Sequence, residues 1–161
     1  MVTDIKVGIA DLNLVLPPGT IMTIGLGSCV GIALYDRTKQ IAGLSHIMLP
    51  DSTQFKEITA PMKFADLAIP ILIKKMIERG CSKKDITSKI AGGASMFNFS
   101  DKSVISDIGS RNIASVKEIL KKEGIPILAE ETGGKKGRTM IVDSNDGTVT
   151  IRIVGQETII I

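Results

Sequence analysis

A long uncharged segment near the N-terminus limits most strongly what this chain can fold into. Residues 12–35 carry no charge, and the segment is long enough to cross a bilayer as a helix. However, Pro17-Pro18 and four glycines interrupt it, and proline and glycine at that density break helices. We therefore interpret it as buried strands around a glycine-rich loop. Because the first residues also lack a secretory signal, we expect a cytoplasmic protein without membrane insertion.

The composition excludes several classes of function. The net charge of +3 is spread along the chain, and the few aromatic residues are not clustered with Lys and Arg, so nucleic-acid binding is not indicated. Cys29 and Cys81 are too few for a disulfide framework, and we expect free thiols. One histidine and two distant cysteines do not form a zinc site. We therefore expect no metal and no organic cofactor.

The distribution of strand and helix signals predicts one α+β domain over residues 1–161. Apolar β-prone runs predict strands in the N-terminal and C-terminal thirds, with hairpins around residues 36–39 and 144–147. Apolar residues at helical spacing predict two main helices, from about residue 64 to 76 and from about 110 to 123. Strands at both ends with helices between them favour a layered α/β sandwich over a doubly wound parallel sheet.

The only histidine and one of the cysteines are the strongest candidates for chemistry. If residues 36–39 form a four-residue hairpin loop, Tyr35 pairs with Gln40 and Cys29 falls directly opposite His46. Directly opposed residues have Cβ atoms about 4.5–5.5 Å apart, within reach of a thiol–imidazole hydrogen bond. In this interpretation His46 activates Cys29 as a nucleophile. In the alternative, Cys29 is a buried structural cysteine in a glycine-rich turn.

The loop around Cys29 has the composition of an oxyanion hole. Glycines such as Gly25 and Gly31 tolerate unusual dihedral angles. Such a loop can direct the backbone N–H groups of Gly27, Ser28 and Cys29 toward one point. A nearby imidazolium would also lower the pKa of the thiol and favour the reactive thiolate.

Three further features each have two interpretations. Thr23 can orient His46 or contact substrate, or it can be an ordinary β-branched strand residue. Cys81 has no base left to pair with, so we interpret it as structural or incidental. The segment 135–138, with the sequence KKGR, can bind an anion or acidic partner, or be a solvated basic turn.

Six motifs in order make the chain resemble the CheD family of chemoreceptor glutamine deamidases, found in bacterial and archaeal chemotaxis. They are TIGLGSCV at 23–30, HIMLP at 46–50, FAD at 64–66, GGASMF at 92–97, IGSRN at 108–112 and GGKKGR at 133–138. The cysteine motif followed by the histidine motif is the most specific part. One departure is Glu131, which stands where the family commonly has Asp before x-Gly-Gly.

The resemblance implies a function that the residues alone do not reach. CheD proteins hydrolyse carbon–nitrogen bonds of selected glutamine amides on the cytoplasmic helices of chemoreceptors. They also bind and stimulate the CheC-type phosphatase of the response regulator CheY. The family's catalytic Cys, His and Thr fall on Cys29, His46 and Thr23. The implied fold is a layered α/β sandwich, similar to the catalytic domain of cytotoxic necrotizing factor toxins.

Two alternative functions follow from the same residues. In a transglutaminase-like acyl transferase, an amine would replace water in resolving the thioester. In a non-catalytic adaptor, Cys29 would be vestigial and the task would be to hold and regulate the CheC-type phosphatase.

Overall fold

The computed structural model describes residues 2–95 and 107–161, and in these ranges the chain forms ten strands and two α-helices. The strands are β1 (Thr3–Val7), β2 (Asp11–Val15), β3 (Gly19–Leu26), β4 (Val30–Asp36), β5 (Ile41–Ile47), β6 (Ile86–Gly92), β7 (Ile127–Thr132), β8 (Arg138–Asp143), β9 (Val149–Ile153) and β10 (Ile159–Ile160). The helices are α1 (Ala65–Glu78) and α2 (Ile108–Lys122). Neither helix is long and apolar enough to span a membrane.

The strands form two five-stranded sheets that pack face to face. The first sheet has the order β1-β3-β8-β9-β10, and the second has the order β2-β5-β4-β6-β7. Most neighbours are antiparallel, but β1 with β3 and β6 with β7 are parallel. The helices cover only the outer face of the second sheet. This arrangement confirms the predicted layered α/β sandwich with two main helices.

Strands β4 and β5 of the second sheet are buried on both faces, which explains the part of the long uncharged segment that lies in β4. Successive side chains of a strand point to opposite faces. Ile32 and Leu34 of β4 therefore pack against the helices, whereas Ala33 and Tyr35 fill the space between the sheets. By the same alternation, His46 of β5 is buried on the face that meets the first sheet.

The β4–β5 hairpin corrects the predicted register. Its four-residue loop consists of residues 37–40, one position later than predicted, because Asp36 pairs with Ile41. Gly31 is therefore the residue opposite His46, and Cys29 is not. The partner of each residue moves by two positions relative to the prediction. Because an even shift does not change the face of a strand residue, Cys29 stays on the predicted side of the sheet.

Asp36 explains why the loop starts one residue later. Its buried carboxylate accepts hydrogen bonds from Thr38 N at 2.8 Å, Thr38 Oγ1 at 2.6 Å, Lys39 N at 3.1 Å and Ser82 N at 3.3 Å. Burial raises the pKa of Asp36, but these hydrogen bonds outweigh it and bring the pKa below its ordinary value. Asp36 thus ends the strand and caps the turn from inside the protein. Aspartate is common in turns, so the sequence alone suggested a loop residue.

We predict that Asp36→Ala lowers the free energy of unfolding by about 2–3 kcal/mol, because four hydrogen bonds to a charged acceptor are lost together. Denaturant unfolding at pH 7 measures the effect. Asp51→Ala is the matched control, since Asp51 forms a similar local turn with Thr53 N at 2.9 Å and Thr53 Oγ1 at 2.8 Å on the surface. A loss as large in the control would show that Asp36 has no special part in fixing the hairpin.

Candidate active site

Strands β3 and β5 bring Thr23 and His46 together across the space between the two sheets. Both side chains are buried, and Thr23 Oγ1 lies 2.6 Å from His46 Nδ1 and 2.7 Å from the Val7 carbonyl oxygen. Because the carbonyl can only accept, the single hydroxyl proton goes to Val7. Thr23 must then accept a hydrogen bond from His46 Nδ1. This network fixes the imidazole proton on Nδ1 and leaves Nε2 as the basic nitrogen.

The basic nitrogen of His46 is buried without a hydrogen-bond partner among the described residues. Such an atom is unusual in a native protein, and a catalytic role is one of its explanations. Burial lowers the pKa of His46 to about 4. At neutral pH the ring is therefore uncharged, which is the state that a general base requires.

Cys29 lies in the bend that leads into β4 and packs at the edge of the core between the sheets. Continuing the hairpin register places it opposite Met48 and diagonal to His46, where Cβ separations are about 7–8 Å or somewhat less. No hydrogen bond joins Cys29 to His46 within the described part of the chain. The residue opposite His46 is Gly31, where a Cβ would lie 2.7 Å from Met140 Sδ. The structure thus places both catalytic candidates on one face but leaves them apart at rest.

The resting protonation states differ from the sequence expectation. Burial raises the pKa of the Cys29 thiol, and its own backbone N–H lowers it only in part. Since the pKa of His46 is lowered, the pair rests as a neutral thiol and a neutral imidazole. The expected thiolate–imidazolium pair is therefore wrong for the resting protein.

The cysteine loop is held in place through its carbonyl groups. Ala94 N donates to the Gly27 carbonyl at 2.8 Å, and Gly93 N donates to the Cys29 carbonyl at 2.8 Å. This contact needs glycine at position 92, because any side chain there would collide with the Cys29 carbonyl. The GGASMF motif thus supports the loop through its first residues, while Met96 and Phe97 lie outside the described residues.

Two of the three predicted oxyanion donors are available. Gly27 N donates to the Gly25 carbonyl at 3.0 Å, so this N–H is already occupied. The N–H groups of Ser28 and Cys29 have no acceptor among the described residues, and both residues are partly exposed. The candidate oxyanion hole therefore reduces to Ser28 and Cys29.

Helix α2 contributes a residue to which the sequence analysis gave no role. The buried side chain of Asn112 donates from Nδ2 to the Ser28 carbonyl and to the Met48 carbonyl, each at 2.9 Å. Asn112 shares the buried stripe of α2 with Gly109 and Val116. A polar residue on an apolar helix stripe is the signal that could have identified it.

In the basic segment 135–138, the arginine differs from the two lysines, and only the lysines fit the interpretation as a solvated basic turn. Arg138 is buried and donates from Nη2 to the Gly133 carbonyl at 2.6 Å and from Nη1 to the Gly92 carbonyl at 3.3 Å. Its Nη2 also lies 3.5 Å from Glu131 Oε1. Arg138 therefore links the backbone at Gly92 to the backbone at Gly133, with Glu131 as its ion-pair partner. By contrast, Lys135 and Lys136 are exposed.

Cys81 is buried in the core between the second sheet and the helices. Burial, together with the nearby carboxylate of Asp36, raises the pKa of its thiol to about 11. Both cysteines are free. A buried thiol with a raised pKa is unreactive, which agrees with the structural interpretation of Cys81.

The fold and this site define a layered α/β protein that carries a buried hydroxyl–imidazole pair beside a partly exposed thiol. The chain belongs to the CheD family. The family profile described as CheD chemotactic sensory transduction matches residues 48–153, which begin after Thr23, Cys29 and His46. A Clostridium botulinum protein named probable chemoreceptor glutamine deamidase CheD is 70% identical over 153 residues, with 95% of this chain and 94% of that protein covered. A Clostridium novyi protein of the same name is 64% identical over 152 residues, 94% of each chain.

One solved structure supports the fold, and the fold alone. A Neisseria meningitidis protein of family DUF152 matches with a TM-score of 0.52 at 10% identity, over 83% of this chain and 64% of that one. The Bacillus licheniformis hypothetical protein YfiH matches with a TM-score of 0.45 at 14% identity, over 72% and 47%. The chain thus spans less than two thirds of either solved protein.

We predict that the burial of His46 makes stability depend on pH. The pKa of His46 falls from 6.5 to about 4 on folding, so between these values only the unfolded chain binds this proton. The free energy of unfolding should therefore decrease as the pH falls from 6.5, by up to about 1.4 kcal/mol per unit. Denaturant unfolding between pH 5 and 7 measures the slope.

The control for this slope is His46→Gln, which has no titrating group at the position. Carboxylates titrate mostly below this range and are common to both proteins. Equal slopes in the two proteins would mean that His46 is not buried in its neutral form.

Proposed function

We propose that this protein deamidates glutamine side chains on the cytoplasmic helices of chemoreceptors, with Cys29 as nucleophile and His46 as base. The observation that carries the proposal is the hydrogen bond between Thr23 and His46. It leaves the basic nitrogen of His46 without a partner among the described residues, on the face that also holds Cys29. The names of its close relatives supply the substrate class. The chain is then a hydrolase of carbon–nitrogen bonds in linear amides, acting in chemotaxis.

The first half of the reaction forms a thioester. His46 Nε2 takes the proton of the Cys29 thiol, and the thiolate sulfur attacks the amide carbon of the glutamine. Because Thr23 holds the imidazole, rotation of the Cys29 side chain completes the pair. Catalytic hydrogen bonds are often long before substrate binds, so the resting separation fits this order. The N–H groups of Ser28 and Cys29 then hold the oxyanion.

The second half resolves the thioester. His46 returns its proton to the departing nitrogen, the carbon–nitrogen bond breaks, and ammonia leaves. Water, deprotonated by His46, attacks the thioester carbon, and the carbon–sulfur bond breaks to give glutamate and the free thiol. General acid–base catalysis typically contributes about 10²–10⁴-fold and one oxyanion donor about 10²–10³-fold. The scheme uses no metal or organic cofactor.

Family membership supports a second partner for the chain. We include in the proposal that it binds a CheC-type CheY phosphatase in the cytoplasm, as CheD proteins do.

The test of the proposed function is Cys29→Ala, with Cys81→Ala as the matched control. Each protein is incubated with a receptor cytoplasmic fragment, and mass spectrometry follows conversion of glutamine to glutamate. Loss of a covalent nucleophile should reduce the rate by at least about 10³-fold, while loss of the buried Cys81 thiol should leave it nearly unchanged. A folded Cys29→Ala protein that converts glutamine at a near wild-type rate would refute the mechanism.

The same assay separates the alternatives. With a primary amine present, an amine adduct beside glutamate would favour acyl transfer to amines. A wild-type protein that binds the phosphatase but forms neither product would favour the adaptor.

The orienting role of Thr23 is tested by a matched pair of substitutions. Thr23→Val keeps the side-chain shape but removes the acceptor for Nδ1–H, so His46 loses its fixed tautomer, and kcat should fall by about 10²-fold or more. Thr23→Ser keeps the hydroxyl and should retain most of the activity. Steady-state kinetics on the receptor fragment measures both. If Thr23→Ser and Thr23→Val lose the same activity, the hydroxyl has no part in the reaction.

A further inference from the structure

Asn112 acts on the peptide unit that carries one of the proposed oxyanion donors. The Ser28 carbonyl and the Cys29 N–H belong to the same planar peptide group, so the direction of one fixes the direction of the other. Asn112 Nδ2 donates to that carbonyl at 2.9 Å. The hydrogen bond therefore aims the Cys29 N–H, and it also polarises the peptide so that this N–H becomes a stronger donor.

The second hydrogen bond of Asn112 reaches the residue that directly follows β5, the strand that carries the base. Met48 lies two residues after His46, and its carbonyl accepts from the same Nδ2 at 2.9 Å. The β4–β5 ladder ends at the pair of Val30 and Ile47, directly before this point. Two carbonyl groups cannot bond each other, so an amide nitrogen with two hydrogens is what joins the nucleophile loop to the base strand.

Stability alone is a poor reason for asparagine at this position. Asn112 lies inside α2, where asparagine has an unfavourable helix propensity. Its Oδ1 is buried without a partner among the described residues, and an unpaired buried acceptor destabilises a fold. An apolar residue would avoid both penalties but would lose the bridge.

We propose that Asn112 is a positioning residue, which aims the Cys29 N–H at the oxyanion and holds Cys29 at a fixed distance from His46. This inference rests on the proposed Cys29–His46 chemistry. Asn112 itself touches neither the thiol nor the imidazole, and it acts through the Ser28 and Met48 backbone. Its loss should therefore uncouple the thiol from its base while both remain present.

A double-mutant cycle on thiol alkylation tests the coupling without any receptor substrate. All proteins carry Cys81→Ala, so that Cys29 is the only thiol. Rates of alkylation by iodoacetamide at pH 7 are measured with and without His46→Ala, in the Asn112 and Asn112→Ala backgrounds. With Asn112 present, removing the base should slow alkylation by about 10-fold or more. With Asn112→Ala, the same removal should change the rate by less than about 2-fold.

The outcomes of the cycle separate two failures. If the effect of His46→Ala is undiminished by Asn112→Ala, the positioning role is overturned and the proposed function stands. If His46→Ala has no effect even with Asn112 present, the Cys29–His46 pair is overturned, and the role of Asn112 falls with it. If Asn112→Ala does not fold, Asn112→Asp replaces it, because its carboxyl group keeps the shape but offers at most one hydrogen for two carbonyls.

Ser115→Ala is the matched control for a purely structural contribution. Ser115 lies one turn further along α2 and donates to the Pro50 carbonyl at 2.7 Å, and among the described residues no hydrogen bond joins its side chain to the cysteine loop. On a receptor fragment, Asn112→Ala should lower kcat by at least about 10-fold with little change in KM, since misplaced groups affect the chemical step. Ser115→Ala should leave both constants near wild type. A fall in thermal stability with unchanged kcat per folded molecule in Asn112→Ala would overturn the positioning role.

Discussion

The hydrogen bond between His46 and Thr23 is the interaction on which the candidate site depends. It crosses the space between two sheets whose facing side chains are mostly apolar, so little water competes with it. The Val7 carbonyl makes the direction of this bond unambiguous, because it takes the hydroxyl proton. Parallel pairing of β1 with β3 is what places Val7 beside Thr23. The tautomer of the histidine is thus a property of the sheet architecture.

The same burial sets the chemical state of the resting protein. It keeps His46 neutral and the Cys29 thiol protonated at rest. In the proposed mechanism, the thiolate forms only when the Cys29 side chain rotates toward His46 to attack an electrophile. Oxidation of cysteine proceeds through the thiolate, and a protonated thiol is therefore less vulnerable to it. An arrangement with a permanent ion pair would react faster with any electrophile. Separation of Cys29 from His46 at rest favours selectivity over general reactivity.

Much of the fold could be predicted from local patterns, and the parts that could not depend on distant contacts. Apolar periodicity identified both helices and the strands of the two hairpins, whereas the two-residue strand β10 is too short to show a pattern. The hairpin register is displaced because Asp36 accepts hydrogen bonds from Thr38 and Lys39 in the loop and also from Ser82 in another part of the chain. Asn112 had no predictable role because its acceptors precede it by more than sixty residues. The hydrogen bond from Gly27 N to the Gly25 carbonyl could not be predicted either, because it depends on a local turn geometry that glycine permits but does not specify.

Free N–H groups in a loop require that the matching carbonyl groups be satisfied elsewhere. A buried loop would otherwise turn its own N–H groups inward to pair with its carbonyls. Here three successive carbonyls, from residue 27 to 29, are occupied by Ala94 N, Asn112 Nδ2 and Gly93 N. Helix α2 packs closely against the backbone of Gly93 and Ala94. Position 109 of the helix must therefore be glycine, because a side chain there would collide with the Ala94 carbonyl. The glycines far from Cys29 in sequence are therefore as necessary to the candidate oxyanion hole as those beside it.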